Sequence, residues 1–417
     1  MAFLSLSSRA WCAFAFSAYF VTPVHAVEKS TSKEFGAKDS SVPKEGDVRL
    51  ILDKRLRYTS VDKSDFDEPL VLWASSVQLG LETVITDSLS VLLEVEHIQP
   101  WDNDFTTSNS YRKKYPGLAT VEATELNQLT LTYRVDPTTE ITIGRQSLAL
   151  ADQRFIGNRD WSLNEQTFDA VRFVDSSLGD LNLDFSYINH THRPFGDEAE
   201  EPDWTGDTVA LILTHPTPIG SVSSFAYLID IDEVDGVLSS QTYGGRLSGG
   251  TNVFGLMFSY DTSYARQSAY GSSNLNYRAH YIAANGQVEK KGVFAGLGYE
   301  SLGADGAQSF QTPMATQKRF QGWSHQFALT PIEGLQNLSV KSGYIIKKLG
   351  PLKKAKLIAN YHDYSSEVGG IDFGSEFNLA AGAKWQTLNF KIKYANYQAE
   401  RFAKDSQKAW LQVGLEF

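Results

Sequence analysis

The sequence predicts an all-β chain closed into a single transmembrane antiparallel β-barrel, and three observations carry that expectation. From Asp47 to Phe417, segments of roughly ten residues place an apolar side chain at every second position, the period of a strand with two unlike faces. After residue 26 no apolar run is long enough for a membrane-spanning helix. Aromatic residues are frequent (Phe 24, Tyr 19, Trp 8) beside 32 Gly and 3 Met. Soluble sandwiches rarely sustain such alternation for ~370 residues as one unit. A barrel in lipid does, with apolar side chains facing outward and polar ones facing a wet lumen.

The elements follow in order. Residues 1–26 hold one charged residue, Arg9, then an apolar stretch from Ala10 to Val21, and Val24-His25-Ala26 offers small residues at the cleavage positions. They read as a signal peptide cut after Ala26, and no Cys follows that would carry a lipid. Residues 27–46 are polar and Ser/Lys-rich, a flexible lead-in. The barrel occupies 47–417, with strand candidates at 47–58, 70–86, 88–98, 125–135, 139–148, 168–175, 180–190, 207–214, 219–229, 240–249, 251–261, 277–288, 292–301, 320–330, 337–347, 353–364, 374–384, 387–397 and 407–417. A bacterial barrel needs an even number. Eighteen is therefore expected within a range of sixteen to eighteen, and the surplus candidate falls between 290 and 350. Turn signals such as Asp136-Pro137, Gly179-Asp180 and Leu349-Gly350-Pro351 separate the segments. Tyr58, Trp73, Trp323, Trp385, Tyr397 and Trp410 stand near strand ends, as interfacial girdles require.

Several function classes drop out. Cys12 is the only cysteine, which excludes a disulfide scaffold, a Cys-based zinc site and an iron–sulfur centre. The formal charge of −11 disfavours nucleic acid as a partner. No Gly-x-Ser-x-Gly elbow and no His-Glu-x-x-His motif occurs, so no catalytic residue, metal or cofactor is expected, and a lipase-like barrel enzyme is the remaining alternative from another class. His190 and His192 share a strand face, yet a pair without a third ligand reads as structural.

The alternates of the apolar positions should face the lumen. They include ten basic residues (Arg49, Arg55, Arg57, Arg134, Arg172, Arg246, Lys341, Lys384, Lys391 and Lys393) against seven acidic ones (Asp53, Glu82, Glu94, Glu96, Asp184, Glu376 and Glu416). The acid then collects in loops such as Asp197–Asp203 and Asp230–Asp235. A lumen leaning basic favours anions. A ladder of cross-strand ion pairs would give no selectivity, and the residues do not decide between the two. Asp230, Asp232 and Asp235 read as a solvated loop rather than a cation site.

Residues 144–173, GRQSLALADQRFIGNRDWSLNEQTFDAVRF, carry a resemblance. Gly144, Arg145, Gln146, then Gln153, Arg154, Phe155, Gly157, then Asn164 to Asp169 match the alginate-export family of outer-membrane porins. Tyr361-His362-Asp363, Gly374-Ser375-Glu376 and Lys393 to Tyr397 match more weakly, and Trp410 to Phe417 looks like the signal read by the barrel-assembly machinery. Two features depart from the family: Ser162-Leu163 replaces an Arg-Gln pair, and the connection near Trp385-Gln386-Thr387 is too short for a periplasmic plug.

The resemblance implies a Gram-negative outer-membrane porin among lipid and lipopolysaccharide, monomeric, passing an anionic carbohydrate such as a sugar acid or acidic polysaccharide. A general small-solute porin is the alternative. Residues 149–167 are long for a connection and rich in Arg, Asn, Asp and Gln, so they can fold inward. Arg145 and Arg154 are then the main constriction candidates, joined by Arg134, Arg172, Arg55, Arg57, Arg246, Lys391 and Lys393. Equally, the arginines could pin the loop through Asp152, Asp160 or Asp169.

Overall fold

The computed structural model describes residues 45–101, 115, 116, 118, 120–196, 203–234 and 236–416. The expected signal peptide, nearly all of the polar lead-in, Asp197 to Pro202, Asp235 and Phe417 lie outside the described residues.

Eighteen antiparallel strands form one closed sheet. In chain order they are β1 (Val48–Lys63), β2 (Leu70–Thr86), β3 (Leu89–Pro100), β4 (Ala123–Asp136), β5 (Thr139–Gln146), β6 (Thr167–Leu178), β7 (Leu181–His192), β8 (Asp203–Thr217), β9 (Gly220–Ile229), β10 (Ser240–Val253), β11 (Leu256–Ala269), β12 (Arg278–Lys290), β13 (Val293–Leu302), β14 (Leu335–Leu349), β15 (Leu352–Ser365), β16 (Asp372–Trp385), β17 (Leu388–Ala399) and β18 (Ser406–Glu416). Each pairs with its sequence neighbours, and β1 closes the sheet on β18, Asp53 opposite Glu416 through Lys63 opposite Ser406. Closure removes the exposed edges that an open sheet of this size would leave.

Alternate connections are two-residue turns, such as Asp87-Ser88, Pro137-Thr138 and Gly350-Pro351, so all tight turns lie at one end. The longer connections share the other end. The eighteenth strand resolves the parity problem at the expected place: the candidate at 320–330 is not a strand but part of a long loop, 303–334. Gly303, Gly306, Pro313, Gly322 and Pro331 punctuate that stretch, and its polar Gln-rich filling supports no ladder.

The faces divide as the alternation requires. Leu129, Leu131, Tyr133 and Val135 of β4 are exposed on the outward face, and Leu338 and Val340 of β14 repeat the pattern. Tyr58 meets Trp73 edge-on and Trp73 stacks on Trp101 there, a true girdle fragment (centroids 5.2 and 6.2 Å apart). Three girdle candidates are corrected: Trp323 sits in the 303–334 loop, Trp410 points inward, and both, like Tyr397, are buried. The reason is that the lumen is not wet throughout. Phe168, Ile188, Ala210, Ile212, Phe225, Tyr227, Ile229 and Tyr281 form an apolar core inside the long-loop half of the barrel. Two inward loops need something apolar to dock on, and strand alternation alone does not announce it.

Candidate functional site

The β5–β6 loop (147–166) and the β13–β14 loop (303–334) meet inside the barrel. Ala151, Gln153 and Arg159 take left-handed backbone (φ 50°, 67° and 52°), which turns the first loop back on itself within the lumen. Gly157 donates its N–H to the Met314 carbonyl (3.0 Å), and a Cβ there would lie 2.3 Å from Thr316 Oγ1, so only glycine allows the approach. Thr316 N–H donates to the Gln153 carbonyl (3.1 Å), and the Gln166 amide donates to the carbonyls of Gly157 (2.7 Å) and Met314 (3.0 Å). Phe155 packs on Tyr227 and Phe225, with centroids 4.8 and 5.1 Å away. The sequence block that carried the family resemblance is thus the block that welds the loops together.

Charged side chains fix both loops to the wall. Arg154 is fully buried; its Nε donates to Glu300 of β13 (2.6 Å) and its Nη1 to Thr312 Oγ1 (2.8 Å). Asp152 faces Arg246 of β10 (3.5 Å), which also pairs with Asp261 of β11. Asp160 pairs with Arg319 of the opposing loop (3.0 Å). From β1, Arg55 donates to the Asp160 carbonyl (3.2 Å) and pairs with Asp53, while Arg57 donates to the Trp161 carbonyl (2.8 Å). Glu376 of β16 accepts the N–H groups of Trp323 (2.5 Å) and Ser324 (2.9 Å) and the Ser324 hydroxyl, and Lys408 donates to the Ser324 carbonyl (2.6 Å). Lys393 Nζ lies 3.9 Å from the Trp161 ring and 4.1 Å from the Trp323 ring.

The remaining residues singled out from sequence separate. Arg134 faces Glu140 (3.5 Å) and Arg172 pairs with Asp184 (2.7 Å), both inside the barrel. Lys391 lines the same space. Arg145 and Asp169, however, stand opposite each other on the outward face, two residues from the exposed Ile143 and Val171, and bond at 2.9 Å. Arg145 therefore faces away from the lumen, contrary to its expected place at the constriction. Asp230 accepts from the Ser272 N–H (2.9 Å) and hydroxyl (2.6 Å) within an extracellular-type loop; Asp235 of the same acidic group lies outside the described residues.

Two cavities run from the docked loops toward the tight-turn end. The first, about 520 Å³, is lined by β1–β6 and β17–β18 and holds the cations Arg55, Arg57, Arg134, Arg172 and Lys391 against the acids Asp53, Glu82, Glu94, Glu140, Asp160, Glu165 and Glu416. The second, about 730 Å³, is lined mainly by β10–β15 and holds Arg246, Lys318, Arg319 and Lys341 against Asp152, Asp261 and Glu300. The basic surplus expected of the whole lumen is thus confined to the second cavity; in the first, carboxylates outnumber cations. Sequence alternation counts wall residues only and cannot see the acids that an inward loop brings.

In the second cavity the three acids are tied to Arg246 or Arg154, whereas Lys318 and Lys341 make no hydrogen bond or salt bridge among the described residues. Lys318 sits in a single 3-10 turn, Gln317–Arg319. Burial, together with Lys408, Lys393, Arg57 and Arg159, pushes its ammonium down to about 7. Sequence reasoning missed Lys318 because it assigned its neighbourhood to a strand; the Gly and Pro punctuation was the available signal.

The alginate export family's sequence profile matches residues 67–369. A search of curated proteins finds no match. Among solved structures, the barrel is similar to the Pseudomonas aeruginosa outer-membrane protein OpdK (13% identity, 89% of this chain and 98% of that one, TM-score 0.67). It is also similar to OccK9 (OpdG) of the same organism (13%, 89% and 99%, TM-score 0.68) and to OccAB2 of Acinetobacter baumannii (14%, 89% and 98%, TM-score 0.66). At such identities the likeness establishes the fold, that of the outer-membrane porins.

Proposed function

This chain belongs to the alginate export family, and from that membership and the chemistry of its lumen we propose that it is an outer-membrane channel passing anionic solutes of the sugar-acid class. The coarse part, a porin-type channel, follows from family and fold. The finer part, anion preference, rests on one observation: in the larger cavity every carboxylate has an arginine partner, while Lys318 and Lys341 form no salt bridge among the described residues and only Asp261, already paired with Arg246, acts on Lys341 from nearby. Two ammonium groups in a narrow aqueous path lower the energy of a carboxylate there more than of a cation. Phe320 beside them lines the same cavity and offers an apolar edge to a solute's carbon skeleton. A related barrel, OpdK, has been crystallised with vanillate, itself a carboxylate, which fits a carboxylate cargo for this fold.

Lipid and lipopolysaccharide would surround the exposed belt, and the β18 end would be read by the assembly machinery; both complete the same reading of a monomer exported to the outer membrane. The test is the reversal potential of the purified barrel in planar bilayers under a salt gradient. The expected result is anion selectivity that falls toward neutrality in Lys318→Met/Lys341→Met. Cation selectivity, or selectivity that survives the double substitution, would remove these lysines from the mechanism. An unselective channel would leave a general diffusion porin.

A further inference from the structure

We propose that Asp169, His190 and His192 form a binding site for a zinc-class divalent ion on the outer rim of the barrel, distinct from the lumen and from any role in solute passage. The fold creates it by register. Asp169 of β6 stands opposite His190 of β7, and His192 stands opposite Asp203 of β8. A register shift at Asp169/Ala170 and another at Ile188/His190 turn both histidines to the outward face near the long-loop end. There the side chains are partly exposed, 30% for His190, 14% for His192 and 32% for Asp169, so an ion has access from outside.

The donor set is suited to zinc. One nitrogen from each imidazole and one oxygen of Asp169 lie within 4.8 Å of one another. Zinc prefers nitrogen and carboxylate donors at about 2.0–2.2 Å, so closing the site needs side-chain movements of about an ångström. The two rings are stacked, 4.2 Å between centroids and 12° between planes, which holds them in parallel reach of one point.

The surrounding contacts are those a metal-bound histidine requires. His192 Nδ1 meets Asp203 Oδ2 at 2.7 Å, which orients the ring with Nε2 turned to Asp169 Oδ2 at 3.0 Å. His190 Nε2 meets the same Asp203 oxygen at 3.0 Å, and the Arg193 N–H holds Asp203 Oδ1 at 3.0 Å. Arg145 binds Asp169 Oδ1 at 2.9 Å and reaches Oδ2 at 3.3 Å. That leaves Oδ2 with only the longer of the two guanidinium contacts. His192 thus has a carboxylate at each ring nitrogen. A neutral imidazole has one proton for the two, and either a second proton or a metal ion must fill the gap toward Asp169. A third ligand is what a strand pair of histidines lacks in the bare sequence, and β6 supplies it.

The experiment titrates the refolded, untagged full-length protein in detergent with Zn²⁺ by calorimetry. One equivalent is expected to bind saturably, with affinity at least tenfold weaker in His190→Ala and in His192→Ala, and weaker in Asp203→Asn, which touches only the supporting contact. Absence of a one-equivalent isotherm, or equal affinity in the His190→Ala/His192→Ala double variant, overturns the site. A measurement on the unsubstituted protein guards against misfolded variants: Zn²⁺ should protect His190 and His192, read by mass spectrometry, from carbethoxylation, and unprotected labelling overturns the proposal equally.

Discussion

Replacing Arg154 by Met is the sharpest perturbation of the loop architecture. The guanidinium and Glu300 are 1% and 8% exposed and meet at 2.6 Å, and the Arg154 carbon also lies 4.9 Å above the Phe320 ring. Removing one partner leaves a buried carboxylate uncompensated, which costs about 3–5 kcal/mol. That cost is relieved locally, because the 147–166 loop can leave the wall without unfolding the sheet. At about 1.4 kcal/mol per factor of ten, the docked-to-undocked ratio falls by roughly a hundredfold to a few thousandfold. Single-channel recording in planar bilayers should then show larger and noisier current in Arg154→Met than in the unsubstituted protein. Adding Glu300→Gln removes the stranded charge while keeping an acceptor for the Tyr281 hydroxyl, which now lies 3.0 Å from Glu300 Oε1. The double variant should recover most of the quiet state. Unchanged current in the single variant, or a double variant as noisy as the single, would refute the claim that this pair holds the loop.

Two further outcomes follow from the same structure. With its ammonium near 7, Lys318 is charged below neutrality and largely neutral above, so anion selectivity by reversal potential should be greater at pH 6 than at pH 8; in Lys318→Met that pH dependence should weaken, and an undiminished dependence would remove Lys318 from it. Leu131, exposed at mid-height on the outward face of β4, should cost about 2–4 kcal/mol when replaced by Arg, seen as a lower denaturant midpoint of the barrel refolded in lipid vesicles; an unchanged midpoint would mean that this face does not meet hydrocarbon.

The fold was legible because a barrel wall is a two-faced strand repeated, and a period of two survives in any strand that touches lipid on one side and not on the other. The Leu129–Val135 and Ala409–Leu415 alternations needed no tertiary information. The interior was less legible for a physical reason. A loop folded inward satisfies its polar groups against distant partners, and Arg154 with Glu300 or Trp323 with Glu376 are separated by long stretches of chain that no local pattern connects. The Gln153-Arg154-Phe155-x-Gly157 block pointed to the correct loop through resemblance, but the docking partner at 312–316 left no periodic trace. Face assignment near bulges was the other weak point. Arg145 follows Gly144, whose φ of 115° marks irregular backbone, and only the register against Leu129 and Asp169 shows that it looks outward.

The chemistry inside divides by residue type in a way that charge counting hides. Arg154, Arg246, Arg319, Arg55 and Arg57 all spend their forks on carboxylates, amide oxygens or backbone carbonyls that hold loops or neighbouring strands. A planar guanidinium with several fixed donors is suited to that work, and once bidentate it adds little net field for a passing ion. Lysine is a point charge on a flexible stem, and Lys318 and Lys341 are left facing the larger cavity with no salt bridge among the described residues. Selectivity in this barrel should therefore respond weakly to the number of arginines on its wall and strongly to two lysines. One of them stands on a loop whose position depends on those arginines. Anchoring and selection are then coupled in one direction: loosening the arginine pairs moves Lys318, whereas neutralising Lys318 leaves the arginine pairs where they are.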